Sequence, residues 1–522
     1  MPIRMVDDEP GKGSSKKSNS RNSNSNRPSF SSGGSGGLGN ILGAVLPYLL
    51  KKPKLILILV VIGVGLYFFM GKGCSSPFNT DTISNFVRGG DLNKDIYDQT
   101  EIYEPLADNK KNPLPERVSL QKYCPTPMNQ GQQGSCVAWA SAYAARTILE
   151  AQRTGKDPNS VKFSPSYLYN QIALKDCQGS YVKYAMDNMY DKGAVNFKDF
   201  AYDDRDCSRQ PTSDLRSKAV NYKIKGFQRL TEEGKGKSYE MLGMKQNLAK
   251  GSPVVIGMMV GGSFMSNMLG KDAWIPTQSD YSKSGFGGHA MCVIGYDDYM
   301  NGGSFLLMNS WGTEWGNKGF TWVRYSDFKE FNVEAYGLYP MGNADRVQPT
   351  SFSGSFGLEL NNGKKTIALR EAGNNYFETV SKLGSTDKFK VEFTNTVECY
   401  TYIFGQETDG SSYVLFPNTP KHSPYCGITG TRLFPRDQSM QPDNIGTKDK
   451  FAILVTRSPI DYDLMNKAIS SASGSDFADK IRKALGSQVD ESIRFTQSGE
   501  LIKFNTSLDN TKCAFFVIGV NK

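Results

Sequence analysis

Histidine is almost absent from this chain: its 522 residues include only His289 and His422, and its nine cysteines contain no CxxC pair. A cysteine–histidine zinc site needs such ligands clustered at short spacing, so a zinc module is not expected and metal-free, cofactor-free chemistry is. Residues 1 to about 40 have few aliphatics and consist largely of Ser, Asn, Gly, Lys and Arg. Such a stretch buries too little apolar surface to offset its ordering entropy, and the expectation is a disordered basic tail over residues 1–50. Net positive charge is small beyond that tail. Nine basic and three acidic residues precede position 55, so two-thirds of the net charge of +9 sits there. A nucleic-acid protein carries its basic residues on a folded face with aromatics interleaved, so no nucleic-acid partner is expected.

Long apolar runs are lacking as well, with one exception. Leu55 to Met70 is uncharged and lies between LysLysProLys at 51–54 and Gly71-Lys72. At about 1.5 Å per residue it spans roughly 24 Å, a little short of a hydrocarbon core of about 30 Å, and snorkelling of Lys54 and Lys72 covers the deficit. The run reads as one N-terminal transmembrane helix, a signal anchor over residues 51–72. Its basic side would face the cytoplasm and everything after it the outside, either the periplasm or the cell surface. A cleaved signal peptide is the rival reading, but its positive region would be about fifty residues long and GKGC at 71–74 lacks the small-x-small pattern. Residues 73–112 are polar and read as a spacer.

From residue 113 to 342 the composition is that of a folded α+β domain. GNADRVQPTSFSGS at 342–355 reads as a linker. Alternating runs follow at 389–393, 400–404 and 451–455, with one helical stretch near 462–485, so residues 356–522 read as a β-rich domain.

Three segments carry chemistry. NQGQQGSCVAW at 129–139 is glycine-rich and opens into a good helix former that ends near Gly155. Cys136 therefore heads a helix, where the macrodipole favours thiolate over thiol. GGHAMCVIGYD at 287–297 places His289 at the start of an apolar strand. LLMNSWGTEWGNKGF at 306–320 brings Asn309 in after 20 residues, a spacing that suits two antiparallel strands joined by a turn at Asn301-Gly-Gly. Asn309 could then accept a hydrogen bond from the imidazole and fix its tautomer, with Trp311 and Trp315 shielding that bond from water.

In the order Cys, His, Asn these segments closely resemble the papain family of cysteine peptidases, and the resemblance covers roughly Pro113 to Tyr339. It implies a papain-like two-lobed domain that hydrolyses peptide bonds, with protein or peptide substrates. It makes Cys136 the nucleophile, His289 the general base and acid, Asn309 its orienter, and Gln130 the side-chain oxyanion donor beside the Cys136 backbone N–H. It also implies a Cys177–Cys207 disulfide, which suits an oxidising compartment. Three departures stand out. Gln133 replaces a family cysteine, Val137 replaces the usual aromatic, and Gly179-Ser180 replaces the family's Gly-Gly strand, which puts backbone pairing to substrate in question. Cys399 and Cys426 could pair. The C-terminal part resembles DUF4384, a β-rich domain found beside bacterial proteases, and His422 within it reads as a solvated residue.

Two other functions compete: an inactive papain-fold binding protein of the cell envelope, and a transglutaminase-type acyltransferase. The intact Cys136, His289, Asn309 and Gln130 set argues against the first, and Asn in place of Asp as third group against the second. Control is open on sequence alone. No helical prosegment pattern fits between Gly71 and Pro113, so either the enzyme is made active or a short piece such as residues 96–106 lies in the cleft. The sequence does not indicate an oligomeric state.

Overall fold

A computed structural model describes residues 1–8, 89–91, 93–108, 110–232, 238–342, 349, 351–507 and 509–522. These belong to one compact unit, Met1–Asp8 with Ser84–Lys522. No helix among the described residues is long and apolar enough to cross a membrane, and the expected span at 51–72 lies outside them.

Residues 113–342 form a helical lobe packed against a β lobe. The helical lobe is built on Cys136–Ala138, Trp139–Arg146 and Thr147–Thr154, which run on from one another, the middle piece wound as a π-helix. Alanines at 138, 140, 142, 144 and 145 allow close packing all round, and the whole stretch from Cys136 to Ala151 is buried. Gly155 ends it at φ 66°, a left-handed C-cap. Helices Pro165–Ile172, capped by the Ser164 hydroxyl, and Val182–Asp191 complete this side.

The β lobe is an eight-stranded sheet whose central path is Phe227–Arg229, Asn332–Leu338, Val254–Val260, Gly287–Asp297, Ser304–Met308, Phe320–Arg324 and Ala273–Trp274. Strand Val254–Val260 is apolar throughout because both its faces are covered. Gly287–Asp297 and Ser304–Met308 are antiparallel, with Cys292 opposite Met308, as the 20-residue spacing requires. Asn301 (φ 52°) and Gly302 (φ 79°) make the turn between them.

The C-terminal domain is a sandwich of an eight-stranded and a seven-stranded sheet. The sheets share one core, in which the rings of Phe356 and Phe516 stack at 3.8 Å. Helices Tyr462–Ser471 and Phe477–Leu485 cover the outer face of the seven-stranded sheet through Ile469, Phe477 and Ile481. The three alternating runs are the strands Phe389–Asn395, Cys399–Gln406 and Lys448–Thr456. Strand Phe352–Leu360 begins inside the stretch read as linker.

Four further expectations need correction. Residues 3–7 fall within the tail expected to be disordered, yet Ile3–Asp7 is a strand paired with Gln438–Pro442. Its alternation of Ile3 and Met5 with Arg4 gives one apolar edge that the sandwich core accepts. Residues 96–106 do not lie in the cleft; they wedge the two domains together. Ile102 donates to the Lys421 carbonyl at 2.7 Å, Tyr103 to Arg229 at 3.1 Å, and Ala107 to Thr431 at 2.7 Å. Ile102, Tyr103 and Leu106 are buried there. His422 is not merely solvated, because its Nδ1 meets Glu104 Oε1 at 2.6 Å against this wedge. Cys399 and Cys426 sit opposite each other in register but are unbonded thiols.

Candidate active site

Cys136 begins its helix and is fully buried, with Sγ accepting from the Ala290 N–H at 3.4 Å. His289, the residue before, is also fully buried, and its Nε2 meets Asn309 Oδ1 at 2.8 Å. Because a carboxamide oxygen only accepts, that contact puts the imidazole proton on Nε2 and leaves Nδ1, which has no hydrogen-bond partner, as an unprotonated nitrogen. Trp311 lies over the imidazole with ring centroids 4.5 Å apart and Trp315 meets Trp311 edge-on, so water is kept from the His289–Asn309 bond. Phe264 holds the second indole through its carbonyl, 2.9 Å from Trp315 Nε1.

Gln130 is brought to the same place by a polar chain. Its Oε1 accepts from the Ser310 hydroxyl at 2.6 Å, and its backbone N–H donates to the Ser310 carbonyl at 2.8 Å. Ser310 N–H in turn donates to Asn309 Oδ1 at 2.7 Å. Gln130 Nε2 donates to the Gln133 carbonyl at 2.9 Å, so one of its two amide protons is already engaged. Tyr202 braces this loop from below, donating to the Gln130 carbonyl at 2.7 Å and meeting Ser135 Oγ at 2.6 Å. All four candidate residues thus converge. Ser310 and Tyr202 were not legible in the sequence, because hydroxyls that clamp a loop have no distinctive spacing.

The cleft holds a piece of the chain itself. Gly90 lies alongside Ser180 in a parallel bridge, Ser180 N–H donates to the Gly89 carbonyl at 3.1 Å, and Gly90 N–H donates to the Gly288 carbonyl at 3.3 Å. The Gly179-Ser180 strand therefore does pair with an extended backbone. A Cβ on Gly89 would stand 2.8 Å from Cys136 Sγ and 2.8 Å from the Gly134 carbonyl oxygen, so only glycine fits this approach. The Gly-Gly dipeptide was the available signal for it.

This cover reverses one expectation. Burial pushes the Cys136 thiol up to about 12, the backbone N–H groups of Ala290 and Val137 oppose it only in part, and the Asp91 charge adds to it. Burial also lowers His289 to about 4 despite the Asn309 bond. With the cleft covered, the pair is a neutral thiol and a neutral imidazole; desolvation outweighs the helix terminus. Cys177 and Cys207 form a disulfide with Cα atoms 6.0 Å apart.

Cys136 and His289 thus stand together between a helical and a β lobe. The sequence pattern of the papain family cysteine proteases matches residues 114–341, and that stretch is a domain of this family. The chain is 28% identical over 218 residues to an uncharacterized peptidase C1-like protein of Acanthamoeba polyphaga mimivirus, covering 40% of this chain and 66% of that protein. It is 28% identical over 205 residues to cathepsin K of Gallus gallus, covering 37% of this chain and 53% of that protein. The match thus spans about half to two-thirds of these relatives' length. Among solved structures, xylellain, a cysteine protease from Xylella fastidiosa, is similar at 23% identity and a TM-score of 0.40, over 49% of this chain and 95% of that one.

Proposed function

We propose that the chain is a cysteine-type endopeptidase. The observation that carries this reading is the Cys136 sulfur seated at a helix start beside His289, whose imidazole Asn309 orients under Trp311. Cys136 gives its proton to His289 Nδ1, and the sulfur attacks the substrate carbonyl carbon. The carbonyl oxygen takes up negative charge, which the Cys136 backbone N–H and the remaining Gln130 amide proton stabilise. As the C–N bond breaks, His289 returns the proton to the leaving amine, leaving a thioester. A water deprotonated by His289 then releases the acid and restores the thiol. The test is hydrolysis of a peptide library by the reduced full-length protein, with the Cys136→Ala variant as blank; equal turnover by the two would end the assignment.

The covered cleft is a closed state, in which Gly89 and Gly90 must leave before substrate enters. Membrane association through residues 51–72 is part of the same reading, supported by the uncharged run Leu55–Met70 and its flanking lysines. The basic residues before the run support a peptidase facing outward, and strand Ile3–Asp7 counts against placing residues 1–8 on the opposite side from it. Segments 401–461 support a DUF4384-like C-terminal domain.

A further inference from the structure

We propose that residues 1–8 are a strand ligand of the C-terminal sandwich in the same molecule, so that the N-terminus lies on the same side of any membrane as the peptidase domain.

The segment is recognised at every level a peptide can be. Its backbone runs antiparallel to Gln438–Pro442, from Ile3 opposite Pro442 to Asp7 opposite Gln438. Pro442 has no N–H and blunts that end of the edge; the next residue takes over, the Asp443 N–H donating to the Pro2 carbonyl at 2.7 Å. Ile3 is fully buried in the core that holds Phe389 and Met440. Tyr413 satisfies both backbone groups of Ile3, its hydroxyl accepting from the N–H at 2.9 Å and donating to the carbonyl at 2.8 Å.

Charge complements shape at the other end. Lys390 is buried, and its ammonium is held by the carbonyls of Pro435, Arg436 and Gln438 at 2.7–3.0 Å. Carbonyls satisfy its protons but do not balance its charge; Asp8 does, at 2.8 Å. The same carboxylate accepts from Asn361 at 2.8 Å and Ser439 at 2.5 Å. Lys388 donates to the Asp7 carbonyl at 3.0 Å. The acceptor therefore reads an apolar residue at position 3 and an acid at position 8, five residues later. The Ser/Asn/Gly-rich sequence that follows offers no such pattern.

The consequence is topological. A single crossing between residues 8 and 89 would hold the strand and its acceptor on opposite faces of a bilayer about 30 Å thick. Intramolecular pairing cannot coexist with that. A chain paired in this way keeps residues 1–8 and the peptidase domain in one compartment.

Two measurements on the full-length protein test this, and neither reads peptidase activity. Arg4 and Gln441 are register partners, so the Arg4→Cys/Gln441→Cys double variant should form a disulfide under mild oxidation, found by mass spectrometry as a 4–441 cross-link in a chain of monomer mass. Single variants should not. No cross-link when both thiols react with maleimide, or a cross-link only in a dimer, overturns the proposal. In intact cells, an impermeant maleimide should treat two thiols alike: one at exposed Arg4→Cys in the docked strand, and one at exposed Tyr299→Cys in the peptidase domain. Labelling of one without the other, before permeabilisation, overturns it as well.

Discussion

Replacing Gly89 by alanine should open the catalytic cleft. The added methyl would sit 2.8 Å from Cys136 Sγ, 2.8 Å from the Gly134 oxygen and 2.9 Å from its carbonyl carbon, well inside ordinary contact. Two of those three atoms are backbone at the start of a buried helix, so the neighbours cannot yield cheaply. Overpacking of this kind costs roughly 1–3 kcal/mol. Alanine also narrows the freedom of the undocked chain, which favours docking by about 0.4–1 kcal/mol where its conformation is compatible, and the steric term is the larger. At about 1.4 kcal/mol per factor of ten, the open fraction should rise roughly 5- to 150-fold before that offset. The assay is the rate at which an epoxide cysteine-peptidase inhibitor labels Cys136 in the reduced full-length protein at neutral pH. If closure limits access, the rate rises with the open fraction. Equal rates for wild type and Gly89→Ala would mean that residues 89–91 do not guard the cysteine.

Cys136→Ala should abolish hydrolysis while leaving the thermal transition near wild type, measured side by side on one preparation. Gln130→Ala should lower kcat by about 10²–10³, the worth of one oxyanion donor; a smaller loss in steady-state kinetics would place Gln130 outside the oxyanion site. The closed state should loosen in acid. His289 is lowered by burial to about 4, so closure keeps its full stability above about pH 6.5 and loses up to about 3 kcal/mol as pH falls toward 4; faster hydrogen exchange at Gly90 and Ser180, corrected for intrinsic rates, is the expected signature. Glu334 behaves in the opposite sense. Burial raises it to about 8, against the Tyr336 hydrogen bond that lowers it, so its contribution is present in full below about pH 4.5 and lost as pH rises through 8. Glu334→Gln should therefore melt higher than wild type at pH 9, and an unchanged or lower transition would contradict the burial argument.

The candidate site residues were legible because the chemistry expected of them demands rare residue types at fixed places: one of two histidines, an asparagine a hairpin away, and a cysteine opening an alanine-rich helix. Strands at 389–395, 399–406 and 448–456 were legible through alternation. The cleft cover was not, because Gly89 and Gly90 act through backbone atoms and contribute no side-chain pattern. The thiolate expectation failed for a related reason: a helix terminus is local and readable, whereas the burial that overrides it comes from a segment some fifty residues away. Strand Ile3–Asp7 was hidden by its low-complexity surroundings, and its partner edge lies more than four hundred residues on. His422 looked solvated because nothing in ProLysHisSerPro announces Glu104.

Peptide hydrolysis by this chain requires Cys136 as a nucleophile toward peptide carbonyls. The most direct measurement is mass spectrometry of the full-length Gly89→Ala protein, reduced and quenched in acid during turnover of a peptide ester. A covalent acyl group on the peptide containing Cys136, absent from the Cys136→Ala variant and discharged by water on further incubation, is the predicted result. Turnover with no acyl adduct on Cys136, or an adduct on another residue, would contradict it.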